Sequence, residues 1–454
     1  MLGEGWKWCS DRPEYPDART HAGHSARIQL VEDQFLEEGF SVRMKSVWRR
    51  LLGVEETVIR GIRFENEMQA LVATVRPYRR RRGRCGECNR RCARYDPGEG
   101  PRRWRTLDLG TIQVFLESEA PRVSCPDHGV IVQAVPWARH DARFTRAFED
   151  QAAWLATHTA RSTVSELLRV AWRTVGGMIV RVVTEAEAAL DRLNGLQRIG
   201  IDEVSHRKGQ RYLTVVVDHD SRRLIWAAAG HDEATLSRFF EKLGPKRCAK
   251  LRLISADAAP WIAAVAKRYC PQARLCLDPF HVVAWATDAL DEVRRAVWNA
   301  ARKNGETELA RELKGARFAL WKNPENRTER QNRKLAFIAR TNLPLYRAYL
   351  LKEQLRTIFK LKGDLGKAML EEWLQWARRC RIGPFVKLAK TIARHRRDIE
   401  ATLDIGLSNA LVESTNTKIR LLTRQAFGFH YPEALISIAM LALGGLCPSL
   451  PGRA

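Results

Sequence analysis

The chain has 454 residues and sets 77 Lys and Arg against 52 Asp and Glu, a formal charge of +25. Such an excess points to a polyanionic partner, with nucleic acid ahead of an anionic membrane surface. An apolar run of about 18 residues and a secretory signal are both absent, so we expect a cytoplasmic, nucleoid-associated protein without a membrane-spanning helix. Its ten Cys are too sparse and scattered for a disulfide framework, whereas four Cys and His residues fall in two pairs that suit a metal in a reducing compartment.

Residues 1–43 are polar and lack hydrophobic periodicity, as expected of a disordered arm or of a start codon placed too far upstream, and Met44 opens a new pattern. Residues 56–60 and 70–75 read as paired strands leading into an arginine run at 79–82. Cys85-Gly-Glu-Cys88 follows, and Cys125-Pro-Asp-His128 begins 37 residues after Cys88. A two-residue gap lets both members of a pair reach one ion, so Cys85, Cys88, Cys125 and His128 are the expected ligands of a structural zinc ion. Cys92 is a spare thiol able to replace a member of the first pair, and the alternative for His128 is a plain surface residue. Residues 104–110 and 111–116 read as strands between the knuckles. The arginine run reads as a phosphate-contacting face, although such runs are often merely solvated. Residues 44–135 are assigned to these strands and the zinc element.

Residues 163–170 read as a short helix capped by Ser162 or Thr163, Ala171-Trp172 as a tight turn, and residues 173–183 as a second helix. This is the layout of a helix-turn-helix, with Arg173 and Thr174 placed to touch bases or phosphates. Gly176-Gly177 weakens the second helix, which leaves an ordinary helical hairpin as the alternative. The module and a helical linker occupy residues 141–195.

Residues 198–202 form an apolar strand ending in Asp202, and residues 212–218 a continuous β-branched strand of the kind covered on both faces. The turn His219-Asp220-Ser221 leads to a third strand at 223–229, and Leu236, Phe239, Phe240 and Leu243 have helical spacing. A fourth strand at 251–255 runs straight into Asp257. Three antiparallel strands, a crossover helix and a parallel strand are the order of an RNase H-like sheet, in which the first and fourth strands lie side by side and Asp202 meets Asp257. Paired carboxylates repel, and a hard divalent cation such as Mg²⁺ is a natural reason to hold them together. Asp218 and Asp220 sit at a hairpin turn for backbone reasons, and Glu203 points to the face opposite Asp202. After a helix at 261–269 and a last strand at 273–277, Asp278-Pro-Phe-His281 brings an acid and an imidazole to the sheet edge. Either orients a scissile strand or stacks on a base, unless Asp278 is only a helix cap.

Residues 283–404 read as an all-α insertion, with a basic stretch at 387–397 able to line a DNA channel. Beyond it, Glu413, Asn416 and Arg420 recur at i, i+3 and i+7 on one helix face, with Lys418 to the side. That face is expected to hold a metal through its carboxylate while Asn416 and Arg420 grip phosphates, though a solvated face carries the same charges.

Gly200-Ile-Asp202-Glu203, Asp257, Asp278-Pro-Phe-His281, and Ser408-Asn-Ala-Leu-Val-Glu413-Ser-Thr-Asn416 with the segment from Ile419 through Arg424 to Phe429 together resemble the DDE transposases of bacterial insertion sequences. Within them the chain is most similar to the ISL-three group, and the resemblance covers about residues 44–445. Ala410 stands where Gly is expected, and residues 1–43 have no counterpart. The resemblance implies an α/β multi-domain protein: an RNase H-like mixed-sheet core at 196–282 and 405–445 carrying the all-α insertion, preceded by the zinc-binding β element and the helix-turn-helix. It also implies a triad of Asp202, Asp257 and Glu413 holding two Mg²⁺ ions, with Mn²⁺ able to replace them. Arg173, Thr174, Asp278, His281, Asn416, Lys418, Arg420 and Arg424 become expected DNA contacts. The implied activity is metal-dependent strand cleavage and strand transfer on double-stranded DNA, both terminal inverted repeats and target, by a homodimer or larger assembly. The rivals are a catalytically inactive, domesticated DNA-binding protein and a structure-selective nuclease of the same fold.

Overall fold

The computed structural model describes residues 42–453 except 208, 210 and 430, so the expectation for residues 1–43 lies outside the described residues up to position 41. The chain divides after Phe148 into two compact units. Among the described residues no helix is long and apolar enough to cross a membrane.

In the first unit, α1 (Val42–Leu51) precedes β1 (Thr57–Glu65) and β2 (Ala70–Pro77), which pair antiparallel as expected. β4 (Pro101–Leu109) and β5 (Ile112–Glu119) complete a four-stranded sheet in the order β1-β2-β5-β4, while β3 (Ala93–Asp96), β6 (Arg122–Cys125) and β7 (Gly129–Val132) form a separate ribbon. The larger sheet buries alternate residues, among them Ile59, Val75, Val114 and Leu116, and Trp104 meets Trp137 edge-on at 5.6 Å. Two arginines of the basic run, Arg80 and Arg81, share Glu56 as a partner, which offsets one of their two charges.

Helix α2 (Arg146–His158) runs across the division and is followed by α3 (Arg161–Leu168) and α4 (Trp172–Ala189). The expected cap is not the one found: α3 starts after Ala160, and neither Ser162 nor Thr163 caps it. The turn instead hinges on Arg169, whose φ of 55° closes the helix in the left-handed region. α4 passes unbroken through Gly176-Gly177 and into the expected linker, because Val175, Met178, Ile179 and Val182 bury its apolar face. Glu149, wholly buried on α2, accepts a hydrogen bond from Arg181 Nε of α4 at 2.8 Å. Removing Arg181 leaves the buried Glu149 carboxylate without this partner, so Arg181→Ala is expected to destabilise the second unit by about 3 kcal/mol. An unchanged melting temperature would show that the pair does not join the helices.

The second unit is built on a five-stranded sheet of β8 (Arg198–Arg207), β9 (Arg211–Asp218), β10 (Arg223–Ala229), β11 (Leu253–Ala256) and β12 (Arg274–Leu277). Its order is β10-β9-β8-β11-β12, with β8, β9 and β10 antiparallel and β11 parallel to both β8 and β12. The first and fourth strands are therefore neighbours, as the strand order led us to expect. Helices α5 (Glu233–Leu243), α6 (Pro245–Cys248) and α7 (Pro260–Tyr269) lie between β10 and β12 in the chain, and Leu236, Phe239, Phe240, Ile262 and Val265 pack on Ile199, Ile201, Val216 and Ile225 of the sheet.

Helices α8 (Pro279–Lys303), α9 (Thr307–Leu313), α10 (Arg317–Trp321), α11 (Glu329–Thr341), α12 (Leu343–Ile358), α13 (Gly363–Arg379), α14 (Gly383–Arg394) and α15 (Arg396–Ile405) follow. They share one core that includes Leu290, Leu351, Trp373, Phe385 and Ile399, so this segment folds around its own interior. Lys387, Lys390, Arg394 and Arg397 are exposed along α14 and the start of α15. The chain then returns to the sheet as α16 (Ala410–Gln425) and α17 (Pro432–Gly444).

Candidate functional site

Gly200 decides where α16 lies. A Cβ at this position would stand 2.5 Å from Val412 Cγ2 and 2.8 Å from His219 Nε2, so only glycine lets the helix settle on β8 at this depth. Gly200 and Asp202 share a face of the strand, and the helix that covers one therefore reaches the other. Asn416 Nδ2 donates to Asp202 Oδ2 at 2.8 Å, and Glu413 precedes Asn416 by one turn on the same side of α16.

The second carboxylate arrives through strand register. Ser255 of β11 lies opposite Gly200 of β8 in the parallel pair, so Asp257, two residues further on, comes level with Asp202. Neighbouring strands are about 4.8 Å apart. The Asp202 carboxyl is pushed up to about 6, chiefly by burial and then by the charges of Asp257 and Glu413, against the Glu203 N–H and His281, which favour its ionised form. Glu203 is also shifted upward, by burial first and then by Asp257, with His231 opposing. Its strand partner is Thr214, on the side of Tyr212 and His231, as alternation requires. Asp218 accepts the backbone N–H groups of Asp220 and Ser221, both at 3.0 Å, and Asp220 pairs with Arg198; both serve the hairpin.

Two expected DNA contacts turn inward. Asp278 is 2 % exposed and accepts the Asn409 N–H at 3.1 Å, leaving its second oxygen buried without a hydrogen-bond partner and its carboxyl shifted upward by burial. It stands at the cap position of α8, yet its side chain makes no capping bond. Asn416 is likewise buried, so the expected face of Glu413, Asn416 and Arg420 divides: the first two meet the sheet, and Arg420 is exposed with Lys418 and Arg424. The reason is that β8 occupies the space this face would have offered to phosphates. His281 is half-buried and its charge bears on both Asp202 and Asp278.

Asn409 has a role that helical periodicity could not reveal. It is 1 % exposed, and besides its N–H bond to Asp278 its Nδ2 donates to the Ile201 carbonyl at 3.2 Å while its Oδ1 accepts from Ser255 Oγ at 2.5 Å. One residue thus ties the entry to α16 to β8, to β11 and to the end of β12. Asn409→Ala deletes both side-chain bonds and is expected to cost about 1–3 kcal/mol while loosening Glu413 relative to Asp202. Thermal melting with a single-turnover cleavage assay checks this, and wild-type values in both would make the bonds incidental.

The four predicted zinc ligands converge in the first unit. Cys85, Cys88, Cys125 and His128 present ligand atoms all within 4.8 Å of one another, with Cys125 Sγ at 3.5 Å from His128 Nδ1 and Cys88 Sγ at 3.7 Å from Cys125 Sγ. Cys92 stands outside the set, and its thiol donates to the Arg90 carbonyl. The Cys125 thiol is drawn down to about 6, first by its hydrogen bond with His128, toward the thiolate form that binds metals. Glu87 approaches His128 Nε2 at 3.1 Å, which orients the ring and leaves Nδ1 free to face the sulfurs. A donor set of three sulfurs and one imidazole nitrogen fits a structural zinc ion.

Residues 199–439 match a family model described as Transposase, residues 133–183 one described as the helix-turn-helix domain of transposase family ISL3, and residues 81–128 one described as the zinc-finger of transposase IS204/IS1001/IS1096/IS1165. The chain is 55% identical to the transposase for insertion sequence element IS1557 of Mycobacterium tuberculosis, over 91% of this chain and 98% of that one. It is 25% identical to the transposase for insertion sequence element IS1001 of Bordetella parapertussis, over 77% of this chain and 86% of that one.

The chain belongs to the ISL3 transposase family.

In this transposase the first match spans the strands bearing Asp202 and Asp257, the helical insertion and the helix bearing Glu413. The helix-turn-helix match takes in α3 and the first part of α4, where Arg173 is exposed and Thr174 half-buried in the first turn of the second helix. The zinc-finger match and the Cys and His cluster together support a structural zinc ion in the transposase.

Proposed function

We propose that this transposase cleaves and joins DNA through Asp202, Asp257 and Glu413, acting as the carboxylates of an RNase H-like core. The observation that carries this reading is the burial of Asp202 among like charges: a carboxyl pushed up to about 6 beside Asp257 and Glu413 is costly unless a cation joins them. The donor set is all oxygen, which fits Mg²⁺, or Mn²⁺ in its place, and the three carboxylates would hold it. Bound there, such ions would lower the pKa of the attacking hydroxyl and offset charge on the transferring phosphate.

The chain's own residues orient and hold. Asn416 fixes Asp202 through Oδ2, the Glu203 N–H bonds Oδ1, and Asn409 holds the helix that carries Glu413 against the strand ends. In the reaction, water attacks the phosphorus at the element end and a 3′-hydroxyl leaves; that hydroxyl then attacks a target phosphodiester, one P–O bond forming as another breaks. Arg173 and Thr174 would contact the terminal inverted repeats, and exposed Lys418, Arg420 and Arg424, with the basic stripe Lys387, Lys390, Arg394 and Arg397, would follow phosphates. Two ends must be brought together, which favours a dimer or larger assembly on DNA.

The test is cleavage of a labelled duplex carrying an element end, with Mg²⁺, against an unrelated duplex of equal length. Cutting at the end, competed by inverted-repeat DNA alone, supports the reading. Equal cutting of both duplexes would make the chain a general nuclease, and end binding without cutting would leave a DNA-binding protein.

A further inference from the structure

Helix α16 ends on an aromatic residue in a conformation that favours glycine. Gly428 N donates to Thr423 O at 2.8 Å and Phe427 N to Arg424 O at 3.0 Å, the pair of bonds by which a helix closes through a left-handed residue, and Phe427 has a φ of 55°. Helices α15 and α17 end on Gly406 and Gly445 in the same region, at φ 70° and 73°. Among the described non-glycine residues of positive φ, Phe427 is the one aromatic. A bulky side chain there is strained. Packing does not offset the strain, because Phe427 is 77 % exposed.

The neighbours of the ring indicate what it meets. The Arg161 guanidinium, from the first turn of α3, lies over it at 5.9 Å, and exposed Arg424 stands at the preceding turn of α16. An exposed ring with one guanidinium over it and a second exposed arginine one turn back on the helix is a setting that recognises a base together with its phosphates. At 1.5 Å per residue, Phe427 lies roughly 20 Å along α16 from Glu413, about six base pairs of duplex. The ring is therefore away from the carboxylates and beside the helix-turn-helix.

We infer that Phe427 is a stacking wedge for DNA: its ring inserts at one base step of the bound element end, about six base pairs from the carboxylate cluster, while Arg161 and Arg424 hold the flanking phosphates. This rests on the DNA-cleaving reading above. Inserted rings of this kind unstack a step and bend the duplex.

The experiment compares full-length wild type, Phe427→Gly and Phe427→Tyr on an end duplex carrying 2-aminopurine at successive positions. Phe427→Gly relieves the backbone and is expected to melt at or about 1–3 °C above wild type. It should nonetheless bind the duplex about tenfold more weakly, about 1.4 kcal/mol, and lose the fluorescence rise that wild type produces at one position. Phe427→Tyr restores both. A Phe427→Gly protein with unchanged affinity and fluorescence overturns the inference. So does one that melts several degrees lower, which would assign the ring to packing, or one whose DNA-free oligomeric state changes while affinity does not. Asp202→Asn separates the two readings, because it should abolish cutting and keep the fluorescence rise.

Discussion

Asp202→Asn, Asp257→Asn and Glu413→Gln are each expected to lower end cleavage at least about a thousandfold while leaving affinity for end DNA within about threefold. Each substitution keeps shape and removes the charge a cation requires, and none touches Arg173, Arg424 or the ring of Phe427. Asp202 carries a second, independent signature. Its folded pKa is raised, so ionising it in the folded protein costs stability that is lost to the protein above about pH 6 and fully regained below the unfolded value near 4. In EDTA at pH 8, Asp202→Asn should therefore be more stable than wild type by about 2 kcal/mol, allowing for partial exposure, and the gain should vanish at pH 4. Melting curves at the two pH values and a gel cleavage assay read both effects. A variant that cuts at the wild-type rate removes that carboxylate from the set, and an Asp202→Asn protein no more stable at pH 8 than at pH 4 would show that the site does not strain this group.

Loss of zinc has the second largest expected effect. Half of the strand residues of the ribbon β3-β6-β7 are exposed and only Val123 and Cys125 are buried, so apolar burial contributes little to its folding. Structural zinc sites contribute on the order of 10 kcal/mol to small elements of this kind. The purified chain is expected to contain about one zinc per chain, and Cys85→Ser or Cys125→Ser to lose it. The segment between 81 and 133 should then become open to limited proteolysis while the second unit melts as before. Glu87→Gln removes the carboxylate that lies on His128 Nε2 and, at 3.9 Å, on His140, and should weaken zinc about 10- to 100-fold without losing it at saturating metal. Full protease resistance in a metal-free Cys85→Ser protein would mean that the ribbon folds without an ion.

Much of the site was legible in residue type and spacing. The two Cys and His pairs announced a shared ion because few other arrangements place four soft ligands at two-residue gaps, and the cluster formed as expected. The order of strands in 198–257, with the long β-branched run of β9 between them, foretold that β8 and β11 would adjoin, a register that brings Asp257 level with Asp202. Charge alone pointed to a polyanion. The four-residue strands β3, β6 and β7 were not legible, because so few positions cannot display an apolar period.

Side-chain direction at close range was decided by tertiary structure alone. Period 3.6 placed Glu413, Asn416 and Arg420 on one face, but how deeply α16 sits on β8 depends on the missing Cβ of Gly200, and that depth turned Asn416 onto Asp202 and left Arg420 outside. Asp278 read as a cap or a DNA contact and proved to be a buried acceptor for Asn409, a residue 131 positions away in the chain. Local sequence determines which residues can form an element and what charges it carries. Hydrogen bonds between elements depend on distances set by packing across the whole sheet, and no local pattern records them.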